Sequence, residues 1–163
     1  IATSVFTNGL ASAPVELAGS DEIKKKYLGM LVEEPKLASF CLTEPGAGSD
    51  VASMKTTAKK VGDKYVINGS KCFITNGGYA DFFTVYAKTD KDAGQRGISA
   101  FVVPRDAGVV VHPTIERRHV NNRHVAERSG RDAHVTAIEL LAAVRAVYFP
   151  LFACRRCMTK TVM

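Results

Sequence analysis

The chain has 163 residues, enough for one sizeable hydrophobic core or for one domain with a piece of another. Its four cysteines are too few and too scattered for a disulfide framework, and no apolar run approaches the length of a membrane span. The formal net charge of +6 comes from the last part of the chain, because residues 1–116 hold 13 Lys/Arg and 13 Asp/Glu and carry no net charge.

The first predicted element is helical and covers Ser12–Leu31. Ser20 precedes two acidic residues and is a good N-cap for a helix that runs to about Leu31. Pro35 ends this region. Because the chain begins with Ile1, we expect it to be a piece of a longer protein, with any targeting segment upstream.

From Lys36 onward, short apolar segments alternate with turns, which is typical of β-structure. The Gly62-Asp63 and Asn68-Gly69 pairs each predict a hairpin turn, the second more strongly because both residues tolerate positive φ. The strands predicted here are Leu37–Leu42, Lys55–Val61, Lys64–Ile67, Lys71–Thr75, Asp81–Lys88, Gly97–Val103 and Val109–Val111. We therefore expect an α+β fold, a short helical segment followed by a mainly antiparallel, β-barrel-like domain.

The segment Cys41–Asp50 reads Cys-Leu-Thr-Glu-Pro-Gly-Ala-Gly-Ser-Asp and closes the first strand. Gly46 and Gly48 leave the backbone open to a ligand and permit positive φ, while Thr43 and Ser49 supply hydroxyls. Successive N–H groups in such a loop can bind an anion. The residues alone leave two interpretations open, a phosphate-bearing cofactor site and an ordinary structural turn.

The segment Lys71–Thr75 predicts a second set of ligand-facing side chains. Strict alternation would place Lys71, Phe73 and Thr75 on one face of a strand, and Cys72 and Ile74 on the other. An aromatic ring and a hydroxyl would then be presented together, although a simple packing pair on a half-buried sheet explains the same pattern. Cys41 and Cys72 lie in apolar strands and are expected to be reduced and buried.

Two motifs carry a resemblance to a known family. Thr43-Glu44-Pro45-Gly46-Ala47-Gly48-Ser49-Asp50 and Lys71-Cys72-Phe73-Ile74-Thr75-Asn76-Gly77-Gly78 together resemble the signature pair of the acyl-CoA dehydrogenases. The lysine-rich Lys24–Gly29 segment, followed by Glu33-Glu34-Pro35, is most similar to the medium-chain members. The resemblance runs from about Asn8 to Arg118. It implies the end of an amino-terminal helical domain in 1–35, a β middle domain in 36–118 and a divergent basic tail in 119–163.

The resemblance implies FAD as cofactor and assigns roles to residues of both motifs. Phe40, Leu42 and Thr43 would lie along the isoalloxazine ring, and Gly48 and Ser49 would meet the pyrophosphate. Ser49 would also contact the acyl-CoA thioester chain. The second motif would contribute Phe73, Ile74 and Thr75, with the ring of Phe73 near the flavin and Thr75 close to flavin N5. The chain has Phe40 where Tyr is usual and Phe73 where Trp is usual, so both positions lose a polar group.

The implied reaction is α,β-dehydrogenation of a fatty acyl-CoA, a step of fatty-acid β-oxidation. Electrons would leave to an electron-transferring flavoprotein, and the full-length protein would be a tetramer-like homo-oligomer. The expected location is the mitochondrial matrix in a eukaryote and the cytoplasm in a bacterium. No catalytic residue is assigned, because the resemblance places the base in a carboxy-terminal helical domain that nothing after Arg118 resembles. We therefore expect this chain alone not to turn over substrate.

The last segment differs in composition from the rest. Residues 117–163 hold nine Lys/Arg, eight of them Arg, against three Asp/Glu. A frameshift or missed splice junction, a native alternative terminus, and a basic module that binds nucleic acid or anionic membranes all stay open. Residues 134–149 could form an amphipathic helix, so the tail is expected to be irregular or helical. The lone Cys154-Arg155-Arg156-Cys157 pattern does not indicate a metal or redox site.

Two further functional interpretations stay open from the sequence. The same motifs would persist in a non-catalytic remnant that still binds FAD or acyl-CoA. Acyl-CoA oxidases share the architecture and differ mainly in oxygen access. We expect neither a nucleic-acid partner nor a membrane span, because no recognition motif and no long apolar helix is evident.

Overall fold

The computed structural model describes residues 2–112, 136–144 and 148–150, with side chains described for residues 3–111. Two helical segments precede an eight-stranded sheet. The Arg- and His-rich stretch after Arg118 and the Cys154–Cys157 pattern lie outside the described residues.

The first helical segment is α1, Ala2–Ala18, which begins well before the predicted start at Ser12. It ends at Ala18, and the N–H of Gly19, the next residue, donates to the carbonyl of Val15 at 2.8 Å. A side chain on Gly19 would collide with that same carbonyl, so a glycine is required where the helix closes.

The second helical segment comprises α2, Asp21–Ile23, a π-helical turn, Lys24–Leu28, and α3, Gly29–Glu33. Ser20 occupies the N-cap position with extended backbone, but its side chain makes no capping hydrogen bond. The prediction of helix over this region is confirmed, with a break at Gly19 that divides it. Within the described residues, no helix is both long and apolar enough to cross a membrane.

The strands follow in chain order and are mostly antiparallel. They are β1, Ala38–Cys41; β2, Thr57–Val61; β3, Lys64–Ile74; β4, Phe82–Lys88; β5, Ile98–Pro104; β6, Val109–His112; β7, Thr136–Val144; and β8, Tyr148–Pro150. The strand order is β6-β7-β3-β2-β4-β5-β8, and β1 pairs in parallel with β4. This confirms the α+β class. Across the described strands the sheet is open, ending at β6 and β8, and is not closed into a barrel.

The sheet is buried on both sides of β4. On one face, Phe82 of β4 and Val102 of β5 pack against Ala11, Val15 and Tyr27 of the helical segments. On the other face the alternate residues of these strands pack against β3, as a cluster of Phe83, Val85, Phe101, Val103, Ile67 and Ile74. A third cluster, Ala47, Met54, Tyr86, Ile98 and Ala100, lies under the loop that follows β1. The two central strands thus support both the helices and that loop.

Two predicted features are wrong. Asn68-Gly69 is not a hairpin turn, because β3 runs straight through it while Asn68 pairs with β2 on one edge and with β7 on the other. Gly69 is instead required for close packing, since a side chain there would overlap Thr56. Residues 136–144 and 148–150 are strands and not part of a helix. The N–H and C=O groups along the long edge of β3 need hydrogen-bond partners, and residues 136–144, which contain Thr, Ile and Leu, supply those partners.

The positions of the remaining predicted strands are confirmed. The Gly62-Asp63 turn joins β2 to β3, with Gly62 at φ 63°. β1, β4, β5 and β6 lie where the apolar segments predicted them, each within about a residue or two at its ends.

Candidate functional site

The two glycine-containing motifs lie side by side in the structure. The N–H of Cys72 donates to the carbonyl of Thr43 at 2.9 Å, and the hydroxyl of Ser39 donates to the carbonyl of Thr75 at 2.9 Å. Because Ser39 precedes Thr43 whereas Thr75 follows Cys72, the two segments run in opposite directions. Thr43 and Thr75 are therefore offset from one another by three or four residues along this pair of segments.

The loop after β1 is a tight turn held by its own backbone. Glu44 and Ala47 exchange two N–H···O bonds of 2.9 and 3.1 Å, which places Pro45 and Gly46 at the tip. Gly46 and Gly48 have nothing within 4 Å of where a side chain would begin, so their backbone faces open space. Neither has the positive φ that the sequence suggested. Their absence of side chains thus serves access to the backbone, not an unusual conformation.

The candidate residues of the first motif differ in exposure. Phe40 is half-buried, and its ring meets that of Tyr86 edge-on with centroids 5.0 Å apart. Leu42 and Thr43 are also half-buried, whereas Gly48 and Ser49 are exposed. The loop therefore presents an apolar floor, one hydroxyl at its base and an open glycine-serine rim.

The predicted alternation of the second motif is wrong, because a bulge interrupts β3. The pairing of β3 with β7 shifts between Lys71 and Ile74, and Phe73 between them has φ 60°. Lys71 is fully buried, whereas Phe73 is 59% exposed, so these two side chains do not share a face. The bulge turns the ring of Phe73 out to solvent in a backbone conformation that is unfavourable for a bulky residue.

The other two candidates of the second motif have separate environments. Ile74 is 1% exposed and its side chain belongs to the core. Thr75 is half-buried beside Ser39, next to Asn76. Asn76 has φ 64° and its amide donates to the carbonyls of Ser4 and Ala38 at 3.1 and 3.2 Å, which fixes the turn after β3 against α1 and β1.

A buried ion pair joins the motifs, and the sequence did not predict it. The ammonium of Lys71 lies 2.8 Å from Glu44 Oε1, with side chains 0% and 5% exposed. It also donates to the carbonyl of Leu42 at 3.0 Å. The carboxylate accepts the N–H of Lys55 at 2.6 Å and of Thr56 at 3.0 Å. The only sequence signal was a lysine at an otherwise apolar strand position and an acid in the loop that follows a strand.

Burial acts on both charges of this pair. It lowers the pKa of the Lys71 ammonium even though the carboxylate beside it favours the charged form. At Glu44 burial opposes ionisation, but the hydrogen bonds from Lys71, Thr56 and Lys55 outweigh it and lower the pKa of the carboxyl. Burial also raises the pKa of the Cys41 and Cys72 thiols, which agrees with the expected reduced, buried state.

The chain is similar to known proteins along most of its length. The family model described as acyl-CoA dehydrogenase, middle domain, matches residues 39–128, more than half of the chain and beyond Arg118. A probable medium-chain specific acyl-CoA dehydrogenase 2, mitochondrial, of Caenorhabditis briggsae is 49% identical over 111 residues, covering 66% of this chain and 27% of that protein. The chain thus spans about a quarter of the length of this curated relative.

Two solved structures have a similar fold. Butyryl-CoA dehydrogenase from Megasphaera elsdenii superposes with a TM-score of 0.73 and 32% identity, covering 87% of this chain and 35% of that one. The structure of PigA with FAD and proline gives a TM-score of 0.73 and 33% identity, covering 86% of this chain and 35% of that one.

Proposed function

Because this chain belongs to the acyl-CoA dehydrogenase family and matches its middle domain, we propose that it forms the part of a flavin-dependent acyl-CoA dehydrogenase that holds FAD and the substrate thioester. The observation that carries this proposal is the 2.9 Å hydrogen bond from the N–H of Cys72 to the carbonyl of Thr43, which holds the two motifs side by side. The chain spans 27% of the curated relative, so the activity of the whole protein is part of the proposal.

The residues of this surface fit a flavin nucleotide. Two threonines on neighbouring antiparallel segments, offset from one another by three or four residues, suit a long three-ring system that is hydrogen-bonded at separate edges. Phe40 and Leu42 offer apolar contact to such a ring, and the exposed side chain of Phe73 can stack on it. Ile74, whose side chain is in the core, can contribute only backbone.

The rim of the loop fits the phosphate end of the cofactor. The open backbone at Gly48 lets an anionic group approach the N–H groups closely, and the exposed Ser49 hydroxyl adds a donor. Ser49 would also contact the acyl-CoA thioester chain. When bound, the flavin supplies a hydride acceptor for the β-hydrogen of the substrate. The chain's own residues orient that ring and exclude water from its apolar side.

The substrate class proposed is a fatty acyl-CoA, with an electron-transferring flavoprotein as electron acceptor and a homo-oligomer as the complete enzyme. The names of two relatives, medium-chain specific acyl-CoA dehydrogenase and butyryl-CoA dehydrogenase, support acyl-CoA substrates, and a place in fatty-acid β-oxidation is proposed together with that substrate class. The mitochondrial matrix is proposed if the source is a eukaryote, in line with the mitochondrial relative, and the cytoplasm if it is a bacterium.

Titration of FAD with the purified 163-residue chain tests the cofactor assignment. Saturable binding should quench flavin fluorescence and shift the visible absorption bands. Thr43→Val and Thr75→Val should each weaken binding about fivefold, the effect of roughly 1 kcal/mol for a lost hydrogen bond. Thr89→Val, which removes a half-buried threonine hydroxyl outside both motifs, is the matched control and should leave the affinity unchanged. A folded chain that binds no FAD would refute the proposal.

A further inference from the structure

We propose that the buried Glu44–Lys71 ion pair is a positioning device that fixes Thr43 and the Gly48–Ser49 rim relative to β3. This inference rests on the proposed function, because it assigns the pair a role in presenting the flavin-facing groups. Neither residue would touch the cofactor, since both side chains are almost fully buried.

The contacts of Lys71 bracket the residue to be positioned. Its ammonium bonds the carbonyl of Leu42 at 3.0 Å and the carboxylate of Glu44 at 2.8 Å, which are the residues directly before and after Thr43. A third contact reaches the sulfur of Met54 at 3.9 Å. Since Lys71 belongs to β3, the segment that carries Thr43 cannot move along β3 without breaking two charge-assisted bonds.

The contacts of Glu44 close the rest of the loop. The carboxylate sits at the start of the loop and accepts the N–H groups of Lys55 and Thr56 at its end, at 2.6 and 3.0 Å. The span between them contains Gly48 and Ser49. One side chain thus ties both ends of the loop together, and Lys71 ties that point to the second motif.

A buried ion pair is poorly explained by overall stability alone. Removing one partner is destabilising because it strands a buried charge, whereas replacing both partners by neutral groups of similar size is often tolerated. Positioning and mere stability therefore predict different outcomes for the double variant. The double variant Glu44→Gln/Lys71→Met should unfold at a midpoint close to that of the unaltered chain, above those of the two single variants. The position of the Thr43 segment against β3 should not be restored, because methionine cannot bond both residue 42 and residue 44.

The first readout is amide hydrogen exchange of the full chain without flavin. In the double variant the amide of Cys72, and at least one of the amides of Lys55 and Thr56, should exchange about tenfold or more faster than in the unaltered protein, because a carboxamide offers one acceptor oxygen where the carboxylate offers two; the amides of β4 and β5 should not change. Lys60→Met, at an exposed lysine of β2, is the matched control and should change none of them. Unchanged exchange at the three amides would overturn the proposal.

The second readout is FAD affinity together with the visible circular dichroism of the bound flavin. The double variant should bind FAD about tenfold more weakly, with an altered flavin spectrum, although its unfolding midpoint is close to that of the unaltered chain. Unaltered affinity in the double variant would overturn the proposal. If the unaltered chain binds no FAD, the proposed function fails, and the exchange experiment still decides whether the pair fixes the loop.

Discussion

Phe73 offers a sharp test of the strained bulge in β3. It is a bulky residue at φ 60°, a conformation that costs an L-residue about 1–2 kcal/mol and that glycine adopts freely. At an ordinary position glycine is less stable than alanine by about 0.5–1 kcal/mol. At residue 73 the order should be reversed, with Phe73→Gly more stable than Phe73→Ala by about 1 kcal/mol.

The loss of the ring adds a small term common to both variants. Phe73 is 59% exposed, and full burial of a phenylalanine side chain stabilises by about 1.5–3 kcal/mol, so about two-fifths of that, roughly 1 kcal/mol, is lost. Phe73→Gly should therefore unfold with nearly the free energy of the unaltered chain, and Phe73→Ala should be about 1 kcal/mol less stable.

Urea unfolding followed by far-ultraviolet circular dichroism measures these differences. Phe101, fully buried in β5 without a positive φ, is the control position. There the change to alanine should cost about 3–5 kcal/mol and the change to glycine more. If alanine were at least as stable as glycine at residue 73, the argument from backbone strain would be refuted. Both variants at residue 73 should weaken FAD binding, because both lack the ring.

Three further outcomes are expected. The pKa of Glu44 is lowered on folding, so its contribution to stability is present above the unfolded-state pKa of about 4.3 and is lost as the pH falls through the lower folded value. Urea unfolding midpoints measured against pH should fall over this acid range, and Glu44→Gln should make that pH dependence weaker. Asn76 has φ 64°, and Asn76→Ala removes its two side-chain hydrogen bonds, so the free energy of unfolding in urea should fall by about 2–3 kcal/mol. Asn76→Gly should lower it less, because glycine adopts the left-handed backbone without strain; equal losses would contradict that role of the backbone. In a chain whose other two cysteines are replaced by serine, Cys41 and Cys72 should not react with a thiol reagent at pH 8 until denaturant is added, because both thiols are buried. Rapid labelling of the native chain would contradict their burial.

Much of the sheet could be predicted from local sequence, because apolar segments bounded by glycine and polar turns fix β1, β4, β5 and β6. The hairpin turn predicted at Asn68-Gly69 is wrong because of contacts with strands elsewhere in the sheet. Pairing of Asn68 with β2 and β7 on its two edges overrides the local turn preference. The strand in 136–144 was missed in the same way, because its partner β3 is far away in the sequence.

The candidate site was predictable only in part. The two motifs identify which segments meet, but the bulge at Phe73 depends on how β3 pairs with β7, which no local pattern encodes. The Glu44–Lys71 pair joins residues 27 positions apart and is visible only once β1 and β3 lie together. The positions of Phe73, Glu44 and Lys71 depend on pairing between distant segments, so they could be known only from the structure.

Two hydrogen bonds join the first helix to β4 and to the turn after β3, and they have a consequence for the order of folding. The amide of Asn76 reaches the carbonyl of Ser4, and the hydroxyl of Thr84 reaches the carbonyl of Ala11 at 2.6 Å, across 72 and 73 residues of chain. Closing so long a loop costs about 4 kcal/mol of chain entropy before any contact forms. The first helix should thus dock late in folding, after the hairpins have assembled, and a nascent chain would leave the apolar side of Phe82 uncovered until it does.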